Sequence, residues 1–290
     1  MTRRLLVSAL LGLLVTTLAR PASAQLLVAK DGPVVYGHHH LNTTNMDAQK
    51  KFFVDTLGGT AVKFGANQQE IIKFPNVLIF FRPMQAPTGG TIGTTVNHIG
   101  FSVPDLGPVI NKIKANGFKM ITRTEVAATQ EVKDDIAITS PTTSIAFALG
   151  PEDVKVELVQ VKTQTVPIQL HHVHFFGPQN TEMQAWYVKT FGTKARPANP
   201  DSAFVVADLP NVALNFTPSP TPVVGTTGRA LDHIGFEIKN LEAFTKKLEA
   251  DGIKLDVAYR KVPALNLAIA FIKDPWGTNI ELTEGLDQVQ

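Results

Sequence analysis

Histidines occupy alternate positions in two short apolar segments of the chain. His38 and His40 flank His39, and the same spacing returns at His172 and His174. Successive side chains of a β-strand point to opposite faces, so each alternate pair shares one face of its strand. Two imidazoles on one face are ligands that divalent transition metals accept, and a neutral imidazole also serves as a proton acceptor.

Two further histidines and two glutamates complete a repeated set of donors. His98 and His233 each begin a His-Ile-Gly-Phe segment, and Glu157 and Glu281 each lie between apolar residues of a predicted strand. A carboxylate among apolar neighbours is strongly disfavoured without a partner. Two imidazoles and one carboxylate suit Fe(II), Mn(II) or Zn(II) and leave coordination positions open for a substrate. A metal held in this way stabilises an enolate or activates dioxygen or water.

These donors recur because the sequence contains an internal duplication. Residues 36–41 match residues 170–175, and residues 97–101 match residues 232–236. Each half divides again, since every quarter opens with a histidine-bearing strand. Each quarter then continues as an amphipathic helix that ends near a glycine, and closes with further strands. The sequence therefore predicts four βαβββ units.

Capping residues support the predicted helices. Asn45 precedes one amphipathic segment, which Gly58 ends. Thr181 and Gln184 have the spacing of a capping box at the start of another. Asn240 is placed to cap a third. These signals place one helix after the opening strand of each of these three units.

The first residues have the pattern of a secretory signal peptide. Arg3 and Arg4 precede the apolar run Leu5–Ala19, and Ala22-Ser23-Ala24 offers a cleavage site. The run is shorter than the about 20 residues of a transmembrane helix. We therefore predict a signal peptide over residues 1–24, export to the periplasm or beyond, and no stable membrane insertion after cleavage. An uncleaved anchor is the alternative.

Composition narrows the class of partner. The chain has 290 residues, of which 44% are hydrophobic and 18% charged, as expected for a folded chain with an ample core. The net charge is +2 without a basic or acidic block, which favours a small molecule over nucleic acid or an anionic membrane. The chain has no cysteine, which excludes thiolate ligands and cysteine nucleophiles.

The repeat also predicts the domain organisation. A first domain over residues 34–160 and a second over residues 170–285 each contain two units, and residues 161–169 join them. Two pairs of units in one chain can complete their clefts internally, so the chain is expected to be a monomer or a homodimer.

The His-Ile-Gly-Phe segments, the closing segment Asp274-Pro275-Trp276-Gly277-Thr278-Asn279-Ile280-Glu281-Leu282 and the βαβββ plan resemble the vicinal oxygen chelate superfamily. That superfamily includes glyoxalase I, extradiol ring-cleaving dioxygenases, methylmalonyl-CoA epimerase, and the bleomycin- and fosfomycin-resistance proteins. The resemblance covers residues 34–285. It implies an α+β fold with two tandem glyoxalase/bleomycin-resistance/dioxygenase-like domains built from curved mixed sheets.

The resemblance also implies one metal site in each half. The family's ligands fall on these positions: His38, His98 and Glu157 in the first half, and His172, His233 and Glu281 in the second. The second half keeps the fuller closing turn and is the better candidate for activity. The register of the opening strands decides which alternate histidine is the ligand, and leaves His40 and His174 as nearby bases or packing residues.

Two positions depart from the family's patterns. A glyoxalase I site usually adds a glutamate where this sequence has Phe80 or Asn215. Extradiol dioxygenases have a tyrosine before the last ligand, where this sequence has Phe271, and Tyr259 or His174 can substitute for it. We expect a metal-dependent dioxygenase or a lyase or isomerase acting on adjacent oxygens. A metal-free sequestering protein of the bleomycin-resistance type is the alternative, and a purely structural exported module is a third reading.

Overall fold

The structure is a computed structural model that describes residues 32–199, 202–210 and 212–289. The predicted signal peptide, residues 1–24, lies outside the described residues. The described chain forms four successive units of strands and helices, as the repeat predicts. No helix within these ranges is long and apolar enough to cross a membrane.

The first and second units cover residues 34–83 and 96–160. The first contains β1 (Val34–Thr43), α1 (Met46–Lys50) running into a π-helical turn (Lys51–Thr56), β2 (Thr60–Phe64), β3 (Gln69–Phe74) and β4 (Val77–Pro83). The second contains β5 (Val96–Val103), α2 (Leu106–Ala115), β6 (Lys119–Met120), α3 (Thr122–Glu125), β7 (Val132–Lys133), β8 (Ile136–Ser140), β9 (Thr143–Leu149), a 3-10 turn (Pro151–Asp153) and β10 (Lys155–Gln160).

The third and fourth units cover residues 169–218 and 231–284. The third contains β11 (Gln169–Gly177), α4 (Asn180–Phe191), β12 (Lys194–Ala195), β13 (Val205–Leu209) and β14 (Val212–Pro218). The fourth contains β15 (Leu231–Ile238), α5 (Leu241–Ala250), β16 (Leu255–Val262), β17 (Leu267–Lys273) and β18 (Asn279–Glu284), with 3-10 turns at Pro263–Leu265 and Leu286–Gln288.

Two of the three predicted helix caps are present. Asn45 accepts a hydrogen bond from the Ala48 amide, and Asn240 accepts one from the Ala243 amide. The predicted capping box at Thr181 is wrong, because α4 begins at Asn180 with Gln179 at the N-cap position and has no side-chain cap. Gln184 instead donates to the carbonyl of Val206 on β13, so a tertiary contact uses the side chain that the local pattern assigned to the cap.

The four units form two curved mixed sheets. The first sheet has the order β16-β17-β18-β15-β1-β4-β3-β2, and the second has the order β12-β13-β14-β11-β5-β10-β9-β8-β7. The first unit therefore shares a sheet with the fourth, and the second with the third. The predicted α+β fold with curved mixed sheets is confirmed. Each sheet thus combines one unit from residues 34–160 with one unit from residues 170–285.

The central strands of each sheet determine where the candidate donors lie. In the first sheet β1 runs antiparallel to β15, and His40 lies opposite His233 while His38 lies opposite Gly235. A Cβ at Gly235 would lie 2.0 Å from the His38 ring. In the second sheet a Cβ at Gly100 would lie 2.1 Å from the His172 ring. The glycine of each His-Ile-Gly-Phe segment therefore leaves room for an imidazole from the neighbouring strand.

The main hydrophobic core joins units that are consecutive in sequence. Phe52 of the first unit packs on Phe118 of the second, with ring centroids 4.8 Å apart. Phe191 of the third stacks on Phe236 of the fourth at 4.2 Å. The two units of each predicted domain are thus held together by their helices and by the sheet faces that the helices cover. The opposite sheet faces carry the donors.

Candidate metal centres

The first cluster lies on the open face of the first sheet, where β1, β15 and β18 are neighbours. It consists of His38, His40, His233 and Glu281, and one candidate ligand atom from each lies within 4.8 Å of the others. The Nε2 atoms of His38 and His233 each lie 3.0 Å from Oε2 of Glu281. One carboxylate oxygen and two imidazole nitrogens therefore converge on a single point.

Asp232 contacts the ring nitrogen of His233 that does not face Glu281. Its Oδ1 lies 2.7 Å from Nδ1 of His233, and Asn42 and the amide of Gly228 donate to its Oδ2. Burial opposes the charged form of His233, but hydrogen bonds to Asp232 and Glu281 outweigh it and raise the His233 pKa. Burial likewise opposes ionisation of Glu281, yet its histidine partners hold the Glu281 pKa well below its usual range. This carboxylate is ionised at neutral pH.

The second cluster has the same plan on the second sheet. It consists of His98, Glu157, His172 and His174, which are all buried. Oε2 of Glu157 lies 2.8 Å from Nε2 of His98 and 3.1 Å from Nε2 of His172. The two Nε2 atoms are themselves 3.4 Å apart. This cluster draws on β5 and β10 of the second unit and on β11 of the third.

Polar neighbours orient the imidazoles of the second cluster. Oδ1 of Asn97 lies 2.9 Å from Nδ1 of His98, and Oγ1 of Thr217 lies 2.7 Å from Nε2 of His174. Burial lowers the pKa of His98 to about 4, and burial also lowers the pKa of His174. Nδ1 of His174 is buried without a hydrogen-bond partner among the described residues.

The donor sets fit a divalent cation. A histidine ligand usually donates its other ring N–H to a carboxylate or carbonyl, which fixes the ligating nitrogen. Asp232 and Asn97 fill that role for His233 and His98. Nδ1 of His38 is a further buried nitrogen without a partner among the described residues. Two or three imidazoles and one carboxylate with these supports are a set that Fe(II), Mn(II) or Zn(II) accepts.

An apolar cavity adjoins the first cluster. It has a volume of about 180 Å³, and His38, His40 and Glu281 form part of its wall. Phe80 lies edge-on to the His38 ring at 5.2 Å and stacks on the His40 ring at 6.0 Å. The first cluster therefore faces a space into which a small molecule fits.

A buried ion pair lies beside the second cluster. Nζ of Lys155 lies 2.6 Å from Oε2 of Glu125, and the Lys155 side chain is only 3% exposed. Lys155 precedes Glu157 by two residues on β10 and so points to the same face. Its ammonium lies 5.6 Å from the ring centre of Phe147 and 5.8 Å from that of Phe176.

The structure regroups the donors that the sequence predicted. All six predicted ligands lie in a cluster, but neither set assigned to one half of the chain comes together: the first cluster takes His38, His233 and Glu281, and the second takes His98, Glu157 and His172. The preference for the second half as the site has no direct counterpart in the structure, because each cluster combines donors from both halves. His40 and His174 join the clusters as fourth members.

One predicted residue lies away from the clusters, and several residues near the clusters were not predicted. Tyr259 packs against the main core and is in neither cluster. Sequence reasoning missed Asp232 and Asn97, although the repeat places one of them directly before each His-Ile-Gly-Phe segment. Lys155 and Glu125 were also missed, and no local pattern marks them as a pair.

Comparisons with known proteins agree with this fold. The family model of the Glyoxalase/Bleomycin resistance protein/Dioxygenase superfamily matches residues 169–282. Glyoxalase I from Zea mays is 19% identical with a TM-score of 0.66, over 88% of this chain and 93% of that chain. A candidate dioxygenase from Bacillus subtilis is 14% identical with a TM-score of 0.64, over 87% of this chain and 86% of that chain. No curated protein is significantly similar in sequence.

The matched segment coincides with the third and fourth units, and the structural likeness extends over the first and second as well. At these identities the likeness to solved structures establishes the fold, and the family match is limited to residues 169–282. Residues 169–282 therefore match the Glyoxalase/Bleomycin resistance protein/Dioxygenase superfamily, and the chain has a glyoxalase-like fold over its four units.

Proposed function

We propose that this chain is an exported, metal-dependent enzyme of the dioxygenase or lyase/isomerase type, which acts on a small molecule with adjacent oxygens at the first cluster. The observation that carries the proposal is the convergence of two imidazole nitrogens on one ionised carboxylate oxygen, at 3.0 Å each, beside an apolar cavity. Catalytic metal sites keep positions open for substrate, and the cavity provides access to such positions.

Each residue of the first cluster has a distinct role in this proposal. His38, His233 and Glu281 hold the metal, and Asp232 orients His233 through its Nδ1. When bound, a divalent metal supplies Lewis acidity toward two adjacent oxygens. Burial lowers the pKa of His40 well below its ordinary value, so its imidazole is neutral at neutral pH and keeps an unprotonated ring nitrogen beside the proposed ligands. Phe80 excludes water from the space between these groups and the cavity.

Metal content measured cluster by cluster tests the proposal. Protein purified without chelators is expected to hold Fe, Mn or Zn, with His233→Ala losing the metal of the first cluster and His98→Ala that of the second. His39→Gln is the matched control, because His39 lies on the same strand but contacts Tyr36 on the opposite face. Turnover of compounds with adjacent oxygens is expected to disappear in His233→Ala alone.

The apolar cavity also suits a second function, that of a metal-free binding or sequestering protein of the bleomycin-resistance type. Phe64, Phe80 and Leu267 line the cavity, and Phe80 stands where a glyoxalase I site usually has a glutamate. Protein that takes up no metal even after reconstitution, but carries a tightly bound apolar compound, would replace the enzyme proposal with this one.

Export is part of the proposal and rests on the sequence of residues 1–24. Amino-terminal sequencing of protein from the native cell is expected to begin at Gln25, and a chain that begins at Met1 in the cytoplasm would contradict it. If the chain is exported, its substrate must be a compound that reaches the periplasm or the medium.

A further inference from the structure

The cavity beside the first cluster limits the size of what it can hold. Its volume is about 180 Å³, and a cavity of about 150 Å³ in another protein holds one benzene molecule. A single substituted ring, or an aliphatic compound of similar size, therefore fits beside the cluster.

The wall of the cavity is mainly apolar. It is formed by the following side chains: Phe64, Phe80, Val262, Leu265, Leu267, Ile269 and Leu286. Contact with these side chains favours a ligand whose body is hydrocarbon, since apolar area removed from water contributes about 25 cal/mol per Å². The polar ends of such a ligand must then lie at the cluster and at the few polar groups of the wall.

Arg260 is the cation among those polar groups. It pairs with Ile269 across β16 and β17, and Ile269 pairs with Thr283 on β18. Paired residues share a face of the sheet, and Glu281 lies two residues from Thr283 on that same face. Because neighbouring strands are about 4.8 Å apart, the Arg260 backbone lies about 10 Å from β18. Arg260 and Glu281 line the same cavity, so a ring-sized molecule bound in it can approach both.

Arg260 also differs in its contacts from the other arginines that the structure describes. The other arginines of the described ranges each contact a carboxylate or a backbone carbonyl: Arg82, Arg123, Arg196 and Arg229. Arg260 makes no ion pair or hydrogen bond with the described residues. The second sheet offers no equivalent cation, because the residue opposite Ile145, which matches Ile269 in the repeat, is Ala137.

We propose that Arg260 binds an anionic group of the substrate, and that the substrate is a small, mainly apolar carboxylate of about one ring with two adjacent oxygens at its other end. A guanidinium recognises a carboxylate through two parallel hydrogen bonds. Arg260 thereby determines specificity, whereas the cluster performs the chemistry. This inference rests on the proposed function, because the adjacent oxygens are taken to meet a metal at His38, His233 and Glu281.

Two probes that differ only in a carboxylate test the inference. Binding of catechol and of 3,4-dihydroxybenzoate to Zn(II)-loaded protein is measured by calorimetry, since redox-inert zinc prevents oxidative turnover. The wild type is expected to bind dihydroxybenzoate about tenfold more tightly, as for loss of one charge-assisted hydrogen bond. Arg260→Gln is expected to remove this preference. Lys261→Gln makes the same charge change next to it, on a residue that lines a different groove, and is expected to keep the preference.

The outcomes separate the two proposals. Equal affinity for both probes in the wild type, or an unchanged preference in Arg260→Gln, would overturn the role of Arg260 and leave the metal site standing. Failure of both probes to bind zinc-loaded protein would overturn the proposed function, and this inference with it.

Discussion

The two clusters carry the same donors but have different surroundings. Each has two alternate histidines on one strand, one histidine on the antiparallel neighbour and one glutamate on the next strand. Behind the equivalent histidines, however, the first cluster has Asp232 and the second has Asn97. The carboxylate helps to raise the pKa of His233, whereas burial lowers the pKa of His98 to about 4. The supporting residue is thus one reason why the pKa shifts of the two equivalent imidazoles have opposite directions.

The space beside the two clusters differs as well. The first cluster borders a cavity of about 180 Å³, while beside the second lies the ion pair of Lys155 with Glu125. Glu125 belongs to α3, in the segment where the second unit is longer than the fourth. Lys155 is at the position of Asn279 in the repeat. Duplication has preserved the donors, whereas the residues around them differ between the two clusters.

We expect the largest difference between the two sheets in the pH dependence of the free energy of unfolding. Its source is Glu237 in the first sheet, whose equivalent in the second sheet is Ser102. Burial raises the Glu237 pKa to about 7, against about 4.3 in an unfolded chain. The folded state then binds the proton more tightly, so this stability is present below pH about 4.3 and is lost as pH rises toward 7. The loss amounts to about 4 kcal/mol in the free energy of unfolding.

Denaturant unfolding of chelator-treated protein between pH 4.5 and 8 measures this slope. Glu237→Gln keeps acceptors for the Gly285 and Leu286 amides and is expected to flatten the profile. Glu242→Gln, a change at an exposed carboxylate that pairs with Lys246, is expected to leave the slope as it is. A slope that persists in Glu237→Gln would assign it to another group.

Exchange of the supporting residues tests the comparison directly. Asp232→Asn makes the first cluster resemble the second and is expected to weaken metal binding there by about 10- to 100-fold, the usual effect of losing a partner of a metal-bound histidine. Asn97→Asp is expected to strengthen binding at the second cluster. Competition with a chromophoric chelator measures both affinities. Equal metal affinities in Asp232→Asn and the wild type would show that Asp232 does not strengthen metal binding at the first cluster.

The ion pair near the second cluster is expected to have the smallest effect. Glu125→Gln leaves the buried ammonium of Lys155 without its partner and should cost about 1–2 kcal/mol, less than for a fully buried pair because Glu125 remains 20% exposed. The double variant Glu125→Gln/Lys155→Met removes both charges and should recover most of that loss. Thermal unfolding measures both, and activity at the first cluster should not change. A stable Glu125→Gln protein would show that the pair does not hold this region together.

Much of the site was predictable from the sequence, because its donors are encoded locally. Alternation on a strand places His38 and His40 on one face, and the duplication points to His172 and His174 as their equivalents. The helix caps at Asn45 and Asn240 are likewise local. The capping box at Thr181 failed, because α4 starts at Asn180 and Gln184 bonds to another strand.

The sequence by itself determined the four units, the donor types and the face of the strand on which each donor lies. Only the tertiary structure decided that β1 pairs with β15 and β11 with β5, and so which donors meet. The opening strands of all four units have similar apolar patterns, so no local preference selects a partner among them. That choice is made by packing over long sequence separations, which also placed Asp232, Arg260 and Lys155 beside the clusters.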